Sequence, residues 1–392
     1  MPSAGVRVAA LLVVALLPGQ SWARLIPDLF RICTRDQVTN LNKQLAGRLL
    51  DFTDNHGCDR RLYSPALNEK RDLYLYLPPG YDGRTPFPAG LWLHGVAQDE
   101  TAFLRLVTHF DRAIATGQIP PMIIAAPDGS VRGRIALFNS GSWYVNSHAG
   151  RFADYIIQDV WHGFVRRHYA VRPEREAHML AGASMGGFGA YHLGFRNKSE
   201  FAHLLGVFPP LDLTYGDCHG RYLGDYDPFC RGFRGEYPRN EVVGRFYGVI
   251  LIRSRRLTDP LVGRRTALDQ RSAFVRSINP ADLLEACDVR PGEFNMFIGY
   301  GTRDEFNIDA TTQSFMEHCG RRGIRPDVFV VPNGRHNFAT GKALFEPLVT
   351  WTRDKLGPYA PPGYTPTAYQ TGGQVPLCVI RQPDMTPTGR TP

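Results

Sequence analysis

One stretch limits the fold more than any other. The apolar run Met179–Gly182 passes straight into Gly182-Ala183-Ser184-Met185-Gly186, and a small-residue segment, Gly187-Phe188-Gly189-Ala190, follows. A serine flanked by glycines two residues before and two after, between an apolar strand and a helix, predicts a tight strand-to-helix turn. Glycines at both places let neighbouring backbone pass close by. The turn would lift the Ser184 hydroxyl above a sheet edge, with a helix N-terminus behind it to favour developing negative charge.

Further apolar runs place this turn in a sheet. Gly90–Leu93, Met122–Ala126, Leu204–Phe208, Phe294–Ile298 and Val328–Val331 are short and continuous, as strands buried on both faces are. Asp72–Leu77 alternates with period two, the pattern of an outer strand. With a strand near Arg61–Ser64, about eight are expected. Helical patterns lie between them: Phe103, Leu104, Leu106, Val107 and Phe110 share a face, as do Tyr155, Ile156, Val160, Phe164 and, one turn on, Tyr169. Ala310–Arg322 and Ala343–Leu356 are also helical in pattern. Strands alternating with helices predict an α/β fold with a mostly parallel sheet covered on both faces. In 392 residues, 43% hydrophobic, this fits one large domain, and a charged fraction of 21% excludes wholesale disorder.

Residues 1–23 read as a signal peptide: Arg7, the apolar run Val8–Leu17, then Ser21-Trp22-Ala23 as a cleavage site. The run is shorter than the ~20 apolar residues of a spanning helix, so a secreted or periplasmic protein without stable membrane insertion is expected. Residues 24–57 form a partly helical lead-in, 58–357 the main domain, and 358–392 a Pro/Thr/Gly-rich tail. Within the domain, 212–285 lacks a clear period and reads as an insertion, either a cap over a pocket or a surface excursion. The seven cysteines include no CxxC pair. In an exported chain they suggest disulfides, with Cys218–Cys230 the best local pair and Cys33–Cys58 and Cys287–Cys319 weaker ones. The formal charge is +8, and five of the 45 basic residues are lysines. The arginines are interleaved with acids along the chain, which argues against a nucleic-acid groove.

A serine hydroxyl needs a base to become a nucleophile. Of 12 histidines, His336 stands apart, in a turn just past the Val328–Val331 run, where an open α/β sheet builds its site. Asp304 follows the Phe294–Ile298 strand and is the expected carboxylate partner, with Glu305 and Asp309 as rivals on the same loop. The order Ser, Asp, His is that of hydrolase triads on such sheets. Two backbone donors are needed for the oxyanion; the amides of Met185 and Val96 are the candidates, and His94 supports the Val96 loop.

At these residues the chain resembles the putative-esterase family of α/β-hydrolases, which includes S-formylglutathione hydrolases, feruloyl and acetyl-xylan esterases, and mycolyltransferases. The stretches that carry the resemblance are LYLPPGYDG (75–83), LHGVAQDE (93–100), PDGS (127–130), GSWYVNS (141–147), AGASMGGFGA (181–190), GYGTRDEFN (299–307) and NGRHNF (333–338). It implies the same roles for Ser184, Asp304, His336, Val96 and Met185. It also implies that Trp143 and Tyr144 lie near the pocket, and His94 is expected beside them as a substrate-binding residue. The 212–285 segment departs from compact members, so substrate identity does not carry over.

The expected activity is hydrolysis of a small-molecule or polysaccharide-linked ester through an acyl-enzyme, with no cofactor and no metal. Acyl transfer to a sugar or lipid would use the same residues, and a binding protein that kept the fold is the third reading. Asp225 and Asp227 near His219 are a weak calcium candidate, read as loop residues. Asn197-Lys198-Ser199 is a glycosylation sequon meaningful only in a eukaryotic secretory host.

Overall fold

The structure, a computed structural model, describes residues 35–364 except 137–140, 231, 234 and 247–248. The signal peptide, Cys33, Cys378 and most of the tail lie outside the described residues.

Eight strands form one sheet: β1 (Arg48–Phe52), β2 (Leu73–Leu77), β3 (Ala89–Leu93), β4 (Ile123–Pro127), β5 (His178–Ala183), β6 (His203–Val207), β7 (Asn295–Gly301) and β8 (Asp327–Val331). Their spatial order is β1-β2-β4-β3-β5-β6-β7-β8. β2 runs antiparallel to both neighbours, and from β4 to β8 every pairing is parallel. The flanking helices include α1 (Val107–Ala115), α2 (Tyr155–Val165, wound in π turns), α3 (Met185–Arg196), α4 (Pro280–Ala286), α5 (Ile308–Arg321) and α6 (Phe345–Leu356). This is the α/β-hydrolase fold. β3, β4 and β6 are buried throughout, as continuous apolar runs covered on both faces require.

Two expectations are corrected. The first strand of the sheet is Arg48–Phe52, within the lead-in, whereas Leu62–Ser64 pairs with Glu69–Arg71 as a separate hairpin. β2 is an inner strand: Tyr74 and Tyr76 are fully buried. Its alternation is of aliphatic and aromatic residues, and the phenols are satisfied inside, Tyr76 donating to Asp111 at 2.8 Å.

Cys218 and Cys230 are disulfide-bonded. Among the described residues Cys58, Cys287 and Cys319 have no disulfide partner, so the expected Cys287–Cys319 pair does not form, while the expected Cys33–Cys58 pair involves a residue outside them. The 212–285 segment has two small hairpins and helices of its own. Its fully buried Arg271 donates to Thr258, Asp259 and the Gly263 carbonyl. Asp259 also accepts from Arg239, so arginines serve here as internal ties.

Candidate active site

β5 ends at Ala183 and α3 begins at Met185, leaving Ser184 alone at the turn with φ +56° and ψ −119°. A non-glycine residue there is strained by about 1–3 kcal/mol and persists because the surroundings enforce it. A Cβ on Gly186 would come within 1.9 Å of the Leu93 carbonyl oxygen, and one on Gly182 within 2.5 Å of Gly186 backbone. Strand β3 and the turn therefore touch backbone to backbone.

The last two strands bring the other side chains in. Asp304 follows β7 and His336 follows β8. Nε2 of His336 is 2.9 Å from the Ser184 hydroxyl, and Nδ1 is 2.8 Å from Asp304 Oδ2. A carboxylate only accepts, so Nδ1 carries the proton and Nε2 is free to accept from the serine. Asp304 is buried; its second oxygen takes the Phe306 N–H at 2.9 Å. Phe208 and Phe306 flank the imidazole, with ring centres 4.4 and 4.8 Å away. Of the rivals, Glu305 accepts the backbone N–H of His336 at 2.8 Å and pairs with Arg335, so it holds the histidine loop. Asp309 sits in the first turn of α5.

The residues Val96, Trp143, Ser184, Met185 and His336 line one narrow cleft with about 30 Å³ of free space. Leu213, Tyr222, Tyr237, Val243 and Leu257, all from the 212–285 segment, complete it. Sequence reasoning missed these five, for the segment has no periodicity to mark an inward face. Trp143 is buried, and its indole N–H has no hydrogen-bond partner among the described residues.

Of the expected substrate-binding residues, His94 and Tyr144 are not among those that line this cleft. Both are buried beneath the cleft, 3% and 0% exposed. Tyr144 donates its hydroxyl to the His94 carbonyl at 2.9 Å. Nδ1–H of His94 donates to the Gly95 carbonyl, and its Nε2 accepts the Gly129 N–H, both at 2.8 Å. The Gly95 carbonyl and the Val96 N–H belong to one planar trans peptide and point in opposite directions. Holding the carbonyl inward thus turns the Val96 N–H outward to the cleft. His94→Ala should lower kcat by about 10- to 100-fold with KM little changed, because a misaimed oxyanion donor is lost mainly in the transition state. Steady-state kinetics check this, and an unchanged kcat would contradict it.

Asp72, Glu100 and Asp128 are buried with carboxylate oxygens within 4.8 Å of one another. Arg71 supplies the counter-charge, 2.9 Å from Asp128, which disfavours a cation there. Burial, reinforced by Asp128 and Asp99, holds Glu100 well above the usual carboxylate range, and burial pushes Asp72 up to about 7. The folded state thus binds the Glu100 proton more tightly than the unfolded chain does. That stability is complete below the ordinary value of 4.5 and is lost as pH rises toward the raised one. Glu100→Gln removes the loss, so the variant's advantage in Tm should grow from about pH 5 to pH 8. A flat difference across that range would contradict the assignment. Asp225, Asp227 and His219 form no such group among the described residues.

The sequence profile of the family described as putative esterase matches residues 64–322, about two thirds of the chain. The chain belongs to that family. This esterase is accordingly a carboxylic ester hydrolase. Its structure is similar to a ferulic acid esterase, 16% identical over 80% of this chain and 100% of that one, TM-score 0.55. It is also similar to an S-formylglutathione hydrolase from Agrobacterium tumefaciens, 15% identical over 80% of this chain and 97% of that one, TM-score 0.56. The fluorophosphonate-binding serine hydrolase F of Staphylococcus aureus matches at 17% identity over 78% and 98%, TM-score 0.50. At such identities these likenesses speak to the fold. No helix among the described residues is long and apolar enough to cross a membrane.

Proposed function

We propose that this esterase is an exported serine hydrolase that cleaves carboxylic esters through an acyl-enzyme on Ser184. The observation that carries this reading is the unbroken relay from the Ser184 hydroxyl to His336 at 2.9 Å and on to Asp304 at 2.8 Å. His336 takes the serine proton as Oγ attacks the ester carbonyl, and Asp304 stabilises the imidazolium. The amides of Val96 and Met185 receive the oxyanion, the second at the positive end of α3. His336 then gives its proton to the departing alcohol, and water, activated the same way, releases the acid.

The 212–285 segment acts as a roof, excluding water and strengthening these interactions by lowering the local dielectric. Residues 1–23 serve as the export signal, in keeping with the Cys218–Cys230 disulfide. A small-molecule or polysaccharide-linked ester is the substrate class. Labelling of the pure protein by a fluorophosphonate probe, with the adduct on the peptide containing Ser184, tests the reading. An intact, folded protein that resists the probe would count against it.

A further inference from the structure

A second, larger cleft adjoins the first, and of its lining the reaction above uses Asp304 alone. It holds about 490 Å³ and is lined by Arg245, Arg303 and Arg335 together with Asp304, Glu305 and Asn307. The two clefts share walls. Val243, Phe306 and His336 face the Ser184 side, and their near neighbours Arg245, Glu305 and Arg335 face the second. The Arg245 N–H donates to the Glu305 carbonyl at 2.8 Å, which fastens the 212–285 segment to the acid loop. With only about 30 Å³ free around Ser184, the bulk of a substrate must leave that slot, and the roomier cleft is next to it.

The charges in the second cleft are unevenly committed. The Asp304 carboxylate is spent on His336 and the Phe306 N–H, and the Glu305 carboxylate on the His336 N–H and Arg335. Arg245 and Arg303 are exposed. Neither makes a side-chain hydrogen bond or ion pair with a described residue, although carboxylates lie in the same cleft. Asn307, the residue before α5, adds the positive end of a 14-residue helix. Two guanidiniums without a described partner thus line one cleft with a helix N-terminus, and a planar oxyanion is the group such donors bind.

We propose that this cleft is an anion subsite, and that the preferred substrate is an ester carrying a carboxylate or similar oxyanion a few bonds from the scissile group. The proposal rests on the esterase reading for its substrate, but not for its ligand. Two matched pairs test it: 4-nitrophenyl hemisuccinate against 4-nitrophenyl butyrate, and 4-acetoxybenzoate against 4-acetoxybenzamide. The first pair places the anion on the acyl side and the second on the alcohol side.

The readout is the ratio of kcat/KM for the anionic to the neutral ester. In the doubly substituted Arg245→Gln/Arg303→Gln protein it should fall about tenfold in at least one pair, and in the native protein it should fall with added salt. In parallel, succinate should bind the Ser184→Ala protein in the millimolar range by chemical-shift titration and lose about tenfold in affinity when both arginines are replaced. Unchanged ratios in both pairs, or succinate binding indifferent to the arginines, would overturn the subsite. Arginine-dependent succinate binding by a protein that hydrolyses no ester would instead sink the esterase reading and leave the subsite standing.

Discussion

Ser184→Ala should lose turnover of 4-nitrophenyl acetate by about 10⁴-fold or more, with KM and melting temperature nearly unchanged. The substitution removes the one atom that forms the acyl-enzyme and leaves the rest of the site in place. Alanine inherits the same positive φ, and the glycine contacts that enforce the turn do not involve the hydroxyl, so the fold should survive. What remains would come from the Val96 and Met185 amides, which still favour the oxyanion during attack by water. Steady-state kinetics with a thermal melt on the same sample give the answer, and activity within tenfold of native would remove Ser184 from the mechanism.

Asp304→Asn should lower kcat by about 10³- to 10⁴-fold. An asparagine in this position can donate to Nδ1, which places the imidazole proton on Nε2, the wrong nitrogen to accept from serine. Packing changes little, because the group is isosteric and still able to accept the Phe306 N–H. The neighbouring Glu305→Gln gives the contrast. Glu305 touches the backbone of His336 and not its ring, so its loss should cost about tenfold through a looser loop. If the Glu305 variant proved the more damaged of the two, the carboxylate roles assigned here would be reversed.

The nucleophile turn was legible because its constraint is local. A strand, a serine between spaced glycines and a helix can be read from about a dozen residues, and the backbone approach of Leu93 to Gly186 explains why. The histidine and the acid were legible by position, each following an apolar run. Other features are decided by distant partners. Tyr74 and Tyr76 resemble the polar half of an outer strand until β1, drawn from an unpromising lead-in, pairs along β2 and makes it an inner strand. His94 and Tyr144 lie in motifs that suggest a pocket, yet both turn inward to hold the carbonyls of the loop below it. Tyr144 and Trp143 adopt positive φ in succession, which no side chain announces. The cleft-facing residues of the 212–285 segment were illegible for another reason. They come from loops, one hairpin strand and, for Leu257, a short helix, in a segment fastened to the acid loop through Arg245 and Asn307, and their spacing carries no period.

The most direct test of the account is the mass of the protein itself during turnover. Mixed with 4-nitrophenyl acetate and quenched in acid within milliseconds, the native esterase should gain one acetyl group, located by peptide mapping on Ser184. The adduct should vanish as substrate is exhausted and be absent from Ser184→Ala. Turnover at the native rate with no acyl adduct at any quench time, in a protein whose Ser184→Ala variant is equally active, would contradict it.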